Sequence, residues 1–183
     1  MSHSLKTTLL GCLEIPLFMK SGVQRFENTK EAALTSLLIP LILLLLISEI
    51  SKINPVYADL NYLHILAKTS ILLVLSILIY YGASYACIVA LERKQYFFQF
   101  ITATNWLTLT SFAINAPFFM LVYYGAYTYQ EMLNLFIFLM FFSVIYSAFM
   151  ITHLLRINWM LGAALSIMSL LIDDGLRQAL FPG

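Results

Sequence analysis

The chain has 183 residues, of which 61% are hydrophobic, 15% aromatic and 10% charged, and its net charge is +1. A soluble domain carries about 25% charged residues, and a globule of this size could not hide so much apolar surface from water. The charge balance lacks the clustered Lys and Arg of a nucleic-acid footprint, and the two cysteines, Cys12 and Cys87, lie too far apart for a metal, redox or disulfide spacing.

Residues 1–28 read as a cytoplasmic N-terminal segment. Leu5, Leu9 and Leu13 recur every four positions, with Lys6 and Glu14 elsewhere on the helix. That pattern predicts an amphipathic surface helix ending before Pro16. The segment is too polar for the apolar core of a signal peptide, and no small-residue cleavage pattern follows the first span. A membrane-crossing helix needs about 20 mostly apolar residues, and five stretches qualify: 29–51, 68–91, 101–124, 131–152 and 157–173. The predicted fold is therefore all-α, a bundle of five transmembrane helices over residues 29–175 with a short external tail at 176–183. Asn28, three residues before Glu31, resembles a capping box. Asn54-Pro55 marks a turn, and Glu92-Arg93-Lys94, 125–130 and 153–156 separate the later spans.

Orientation follows from the basic residues of alternate loops. Lys6, Lys20, Arg25, Lys30, Arg93, Lys94 and Arg156 share one side, against Lys52, Lys68 and Arg177 on the other. Seven against three places the N-terminus in the cytoplasm and the C-terminus in the periplasm.

Polar residues inside spans carry most of the information, because hydrocarbon cannot satisfy them. Asn105, Thr108, Ser111 and Asn115 share one face of the third helix, shortly before Pro117, which removes a backbone donor. The stripe reads either as a solute-lining face or as interhelical hydrogen bonding, and the second reading is preferred. Asn105 is expected near the cytoplasmic surface, and Asn115 near mid-depth. Tyr81, with Tyr80, Ser84 and Tyr85, is placed level with Asn115, Ser143, Tyr146 and Ser166. They form a small hydroxyl-lined cavity or a fully packed interior. Gly82, Ala86 and Ala90 form a small-residue stripe suited to close helix contact. Gly162, Ser166, Ser169 and Asp173 share an inward face of the fifth helix, with Asp173 and Asp174 placed near the outer surface. Glu49 and Lys68 are expected to form a structural ion pair.

No His-Glu-x-x-His, Gly-x-Ser-x-Gly or phosphate-cradling loop is present, and His3, His64 and His153 are far apart. No charged residue is predicted at mid-membrane depth. The expectation is a non-enzymatic protein with no catalytic, cofactor or metal site. Its partners are the lipid bilayer and, through helix faces, other membrane proteins or a second copy of itself.

Arg25-Phe26-Glu27-Asn28-Thr29 leads into the first span, Ile101-Thr102-Ala103-Thr104-Asn105-Trp106 opens the third, and Pro117 lies late in it. With five spans and a short outward tail, the chain resembles bacterial inner-membrane proteins of the YIP1 domain family, over most of Gly22 to Leu180. The Asp-Leu-Tyr-Gly-Pro signature of eukaryotic members is missing; Asp59-Leu60 is followed by Asn61-Tyr62. The resemblance implies a membrane-organising or assembly role with no catalytic residues. The leading functional expectation is a membrane scaffold or assembly factor; the alternative is a small permease or transporter subunit.

Overall fold

The computed structural model describes residues 5–54, 57 and 59–180; Pro55, half of the expected Asn54-Pro55 turn, lies outside them. Every regular element among these residues is helical. A short hairpin, α1 (Leu5–Glu14) and α2 (Lys20–Val23), precedes the spans. The first span is broken into α3 (Lys30–Ser36) and α4 (Leu38–Ile50), followed by α5 (Tyr62–Ala90), α6 (Phe97–Tyr123), α7 (Tyr129–Leu155) and α8 (Trp159–Leu180). Five stretches among the described residues are long and apolar enough to cross a membrane: Lys30–Ile53, Tyr62–Ala90, Lys94–Tyr123, Tyr129–Leu155 and Trp159–Leu180. Their outward surfaces carry exposed apolar side chains such as Ile42, Leu45, Val74, Leu78, Phe138 and Leu171. Helix length and composition make the chain a multi-pass membrane protein.

The helix ends explain the boundaries. Pro40 has no N–H to offer the preceding turn, so the first span breaks between α3 and α4. Thr29, rather than Asn28, caps α3, its hydroxyl accepting from Ala32 N at 3.1 Å. Asn28 instead crosses to the start of α6, donating to Gln95 O at 2.7 Å and accepting from Gln99 N at 3.0 Å. It thus satisfies orphan groups of another helix. Thr128 and Glu131 form a reciprocal capping box on α7. The other end of α7 closes with Arg156 in the left-handed region, while Arg93 Nε donates to Leu155 O at 3.1 Å. Pro117 does not end α6, which continues to Tyr123.

The five spans form a ring. The first span packs against α5 and α6, α5 against α8, α8 against α7, and α7 against α6. The order around the ring is first, second, fifth, fourth, third. The α7–α8 seam is the tightest. A Cβ on Gly162 would meet Thr152 Oγ1 and lie 2.9 Å from the backbone oxygen of Ala148, and Ser166 Oγ donates to Val144 O at 2.9 Å. The fifth span runs to Leu180 rather than ending at Asp173, because each acid has an i+4 partner on the same helix. Asp173 pairs with Arg177 at 3.1 Å, and Asp174 accepts from Gln178 at 2.8 Å.

The N-terminal hairpin is built into the bundle. Cys12 and Ile15 are buried in the core, whereas Leu5, Leu9 and Leu13 face outward. The Cys12 thiol points at Trp106 O (3.7 Å), and Thr110 Oγ1 donates to Cys12 O at 3.4 Å. These contacts lie roughly 14–20 Å along α6 from Phe97, at 1.5 Å per residue. Phe18, in the left-handed region at φ 57°, places its ring edge-on to Phe142 and Phe149 of α7. A salt bridge between Glu14 and Arg25 ties the hairpin together, with Ser21 Oγ donating to the same carboxylate at 3.0 Å. The Arg25 guanidinium holds the Glu14 carboxyl below its ordinary range.

The small-residue stripe of α5 is placed otherwise than expected. Gly82, Ala86 and Ala90 are exposed, and a Cβ on Gly82 would meet nothing within 4 Å. Lipid tails and protein are equally apolar, so small residues mark a contact only where another helix comes close. Gly162→Leu should therefore destabilise by about 3 kcal/mol or more through overpacking against backbone. Gly82→Leu should stay within about 0.5 kcal/mol, as a surface change does. Thermal unfolding of the two variants in detergent checks the contrast.

Candidate functional site: a polar cavity inside the ring

Among the described residues, two adjoining, partly open cavities lie within the ring, of about 830 Å³ and about 480 Å³. Thr108, Ser111, Met140, Ser143 and Arg177 line both. The larger lies among α5, α6, α7 and α8. The smaller extends to the end of the bundle where α4 and α6 finish and α7 begins, past Asn54, Tyr57 and Tyr129. Asn54 Nδ2 lies 3.4 Å from Tyr129 Oη across that end.

The stripe on α6 faces this space along its length. Tyr81, Asn105, Thr108 and Ser111 line the larger cavity; Thr108, Ser111 and Asn115 line the smaller. The two asparagines nevertheless differ. Asn105 is 2% exposed. It accepts from Tyr81 Oη at 2.7 Å and donates to Ser36 Oγ at 2.9 Å. Ser36 in turn donates to Ala33 O at 2.7 Å, beside the break caused by Pro40. Asn105 is thus the node of a three-helix network rather than an amide meeting water or headgroups. Asn115 donates to Ser111 O of its own helix at 2.8 Å and is only half-buried. Tyr81 is therefore level with Asn105, roughly 15 Å along α6 from Asn115.

On α8, Gly162 and Ser166 pack against α7, while Ser169 and Asp173 continue the same face into the larger cavity. Ser76 Oγ lies 3.5 Å from Asp173 Oδ1, and Ser76 stands midway along the 29-residue α5. Asp173 therefore sits near the middle of the bundle, not at its outer surface. Arg177, its partner, also reaches Tyr57. Glu49, at the same end of the bundle, pairs with Lys52 at 3.2 Å.

Two residues that line the larger cavity carry buried hydroxyls with no hydrogen-bond partner among the described residues, Tyr146 Oη and Thr104 Oγ1. Tyr146 is 1% exposed; it approaches Ser111 without completing a bond of normal geometry. An unsatisfied buried hydroxyl costs about 1–3 kcal/mol. Both oxygens are buried away from the cavity space, so what the wall offers to whatever enters is the half-exposed Asp173–Arg177 pair. No group of three or more potential metal ligands occurs among the described residues.

Sequence reasoning missed Ser36, Ser76, Thr104 and Arg177. The i,i+4 spacing of Asp173 and Arg177 was the available signal that a helix could carry both into the membrane.

Asn105→Leu should cost about 1–3 kcal/mol, since it breaks two membrane hydrogen bonds and strands Tyr81 Oη and Ser36 Oγ. Asn115→Leu, losing one intrahelical bond, should cost less than about 1 kcal/mol. Urea or thermal unfolding in matched micelles measures the difference. No protein-family model, curated protein or solved structure matches the chain, so its geometry and chemistry alone bear on function.

Proposed function

We propose that the chain is a small-solute permease or transporter subunit of the bacterial inner membrane, and not an enzyme. One observation carries this reading: a cavity of about 830 Å³ inside the five-helix ring holds the half-exposed Asp173–Arg177 pair on its wall. Ionisable residues inside a membrane are expensive and characteristically line substrate or ion paths. The volume is that of a small-molecule site. The excess of basic residues on the face with Arg93, Lys94 and Arg156 orients that face to the cytoplasm. The end with Tyr57, Tyr129 and Arg177 then faces the periplasm, as does the C-terminus.

A second reading rests on a different feature. The outward Gly82, Ala86 and Ala90 stripe would let a helix of another membrane protein, or of a second copy, approach closely. That suits a scaffold or assembly factor, and the membrane-organising role implied by the YIP1-like resemblance.

Ser111→Cys, in a Cys87→Ser background, separates the two. Cys12 contributes little background, because burial pushes its thiol up and away from the reactive thiolate. On the permease reading, a membrane-impermeant methanethiosulfonate applied from the periplasmic side labels position 111. On the scaffold reading, position 111 stays unlabelled while Gly82→Cys forms disulfide-linked complexes.

A further inference from the structure

We infer that α1 is a re-entrant helix, held inside the hydrocarbon of one leaflet with its Leu5, Leu9 and Leu13 face against lipid acyl chains, rather than a helix lying on the membrane surface. The inference does not depend on what enters the cavity.

Two spans set the depth independently. α6 and α7 each have 27 residues, roughly 40 Å at 1.5 Å per residue, whereas the hydrocarbon is about 30 Å thick. About 5 Å of each helix therefore lies outside it at either end. Cys12 meets Trp106 and Thr110 roughly 14 and 20 Å from the start of α6. That level is roughly 9–15 Å inside the hydrocarbon. Phe18, in the turn after α1, packs on Phe142 and Phe149, roughly 9–20 Å from the end of α7 at Leu155 and so in the same layer. A surface helix sinks one face about 5–10 Å into the headgroup boundary and leaves the other in water. In α1 the other face, with Thr8, Gly11 and Cys12, is buried in protein.

The charges are placed as this depth demands. α1 carries two, Lys6 and Glu14. Glu14 is paired with Arg25 and accepts from Ser21 at 3.0 Å, so the hydrocarbon meets no uncompensated carboxylate. Lys6 has a stem long enough to snorkel. The chain crosses the headgroup level at α2. There Lys20 lies near His153, close to the end of α7. Gln99, in the first turn of α6, donates to Val23 O at 3.4 Å and Phe26 O at 2.9 Å. The occupant of the outer face follows from the level: Leu5, Leu9 and Leu13 are exposed and join the apolar belt of Val74, Leu78 and Phe138 on the spans, where the solvent is acyl chain.

The test uses the full chain, with Cys12→Ala and Cys87→Ser, in nanodiscs. A fluorophore on Leu13→Cys is quenched in turn by iodide, by phosphatidylcholine spin-labelled on its headgroup, and by phosphatidylcholine carrying a doxyl group midway along its chain. Lys94→Cys and Leu78→Cys are the aqueous and lipid-facing references, both at exposed positions. The mid-chain label is expected to quench Leu13→Cys more strongly than the headgroup label does, as at Leu78→Cys. Iodide quenching should be lost relative to Lys94→Cys. If Leu13→Cys fails to fold, Leu9→Cys, one turn earlier on the same face, takes the same measurement. Stronger quenching by the headgroup label returns α1 to the surface and overturns the inference. So does iodide quenching equal to that at Lys94→Cys. An oxidised dimer through position 13 overturns it as well, by putting a second copy over the face.

Discussion

The bundle depends on how closely α8 can approach α7. Gly162 has no side chain, and a Cβ there would press on the Ala148 carbonyl and Thr152. Because α8 can settle against α7, it also reaches α5 on its other side and closes the ring. Asp173 is then carried to the level of Ser76, halfway along the longest helix. Without that seam the interior would open to lipid, and the carboxylate would have no reason to lie where it does.

Polar groups inside the ring are organised in two layers. Toward the N-terminal end, Asn105 joins Tyr81 and Ser36 and ties three spans together. Such a satisfied network rigidifies the elements it joins. Beyond it, Ser111, Ser143, Asp173 and Arg177 surround space rather than one another, apart from the single ion pair. The first layer fixes the architecture and the second leaves chemistry to offer. The N-terminal hairpin belongs with the first. Cys12 and Ile15 are buried in the core, and Trp106 and Thr110 on α6 and Phe142 and Phe149 on α7 hold its turn and helix in place.

The five spans were legible because hydrocarbon thickness imposes a length on apolar runs. What lay beyond reach was the direction in which each face points. Gly82, Ala86 and Ala90 repeat like Gly162 and Ser166, yet the first set faces outward and the second meets α7. In water the apolar stripe turns inward; against lipid, hydrophobicity no longer distinguishes the two sides. The same inversion governs α1, whose Leu5, Leu9 and Leu13 face outward while Thr8, Gly11 and Cys12 pack inward. Asn28 shows the complementary limit. Its local spacing suggested a cap on its own helix, but tertiary placement gave it to α6. The α6 stripe lines the two cavities; the unlike surroundings of Asn105 and Asn115 depend on the break at Pro40, which no periodicity in α6 reveals.

Cross-linking of α5 to α8 tests the ring most directly. In a chain lacking Cys12 and Cys87, Ser76→Cys combined with Asp173→Cys should form an intramolecular disulfide on mild oxidation, seen as an intact peptide pair by mass spectrometry. The side chains they replace lie 3.5 Å apart. Failure of that pair, with Asp173→Cys instead cross-linking to a cysteine at Leu63 near the start of α5, would place Asp173 at the outer surface and contradict the closed ring.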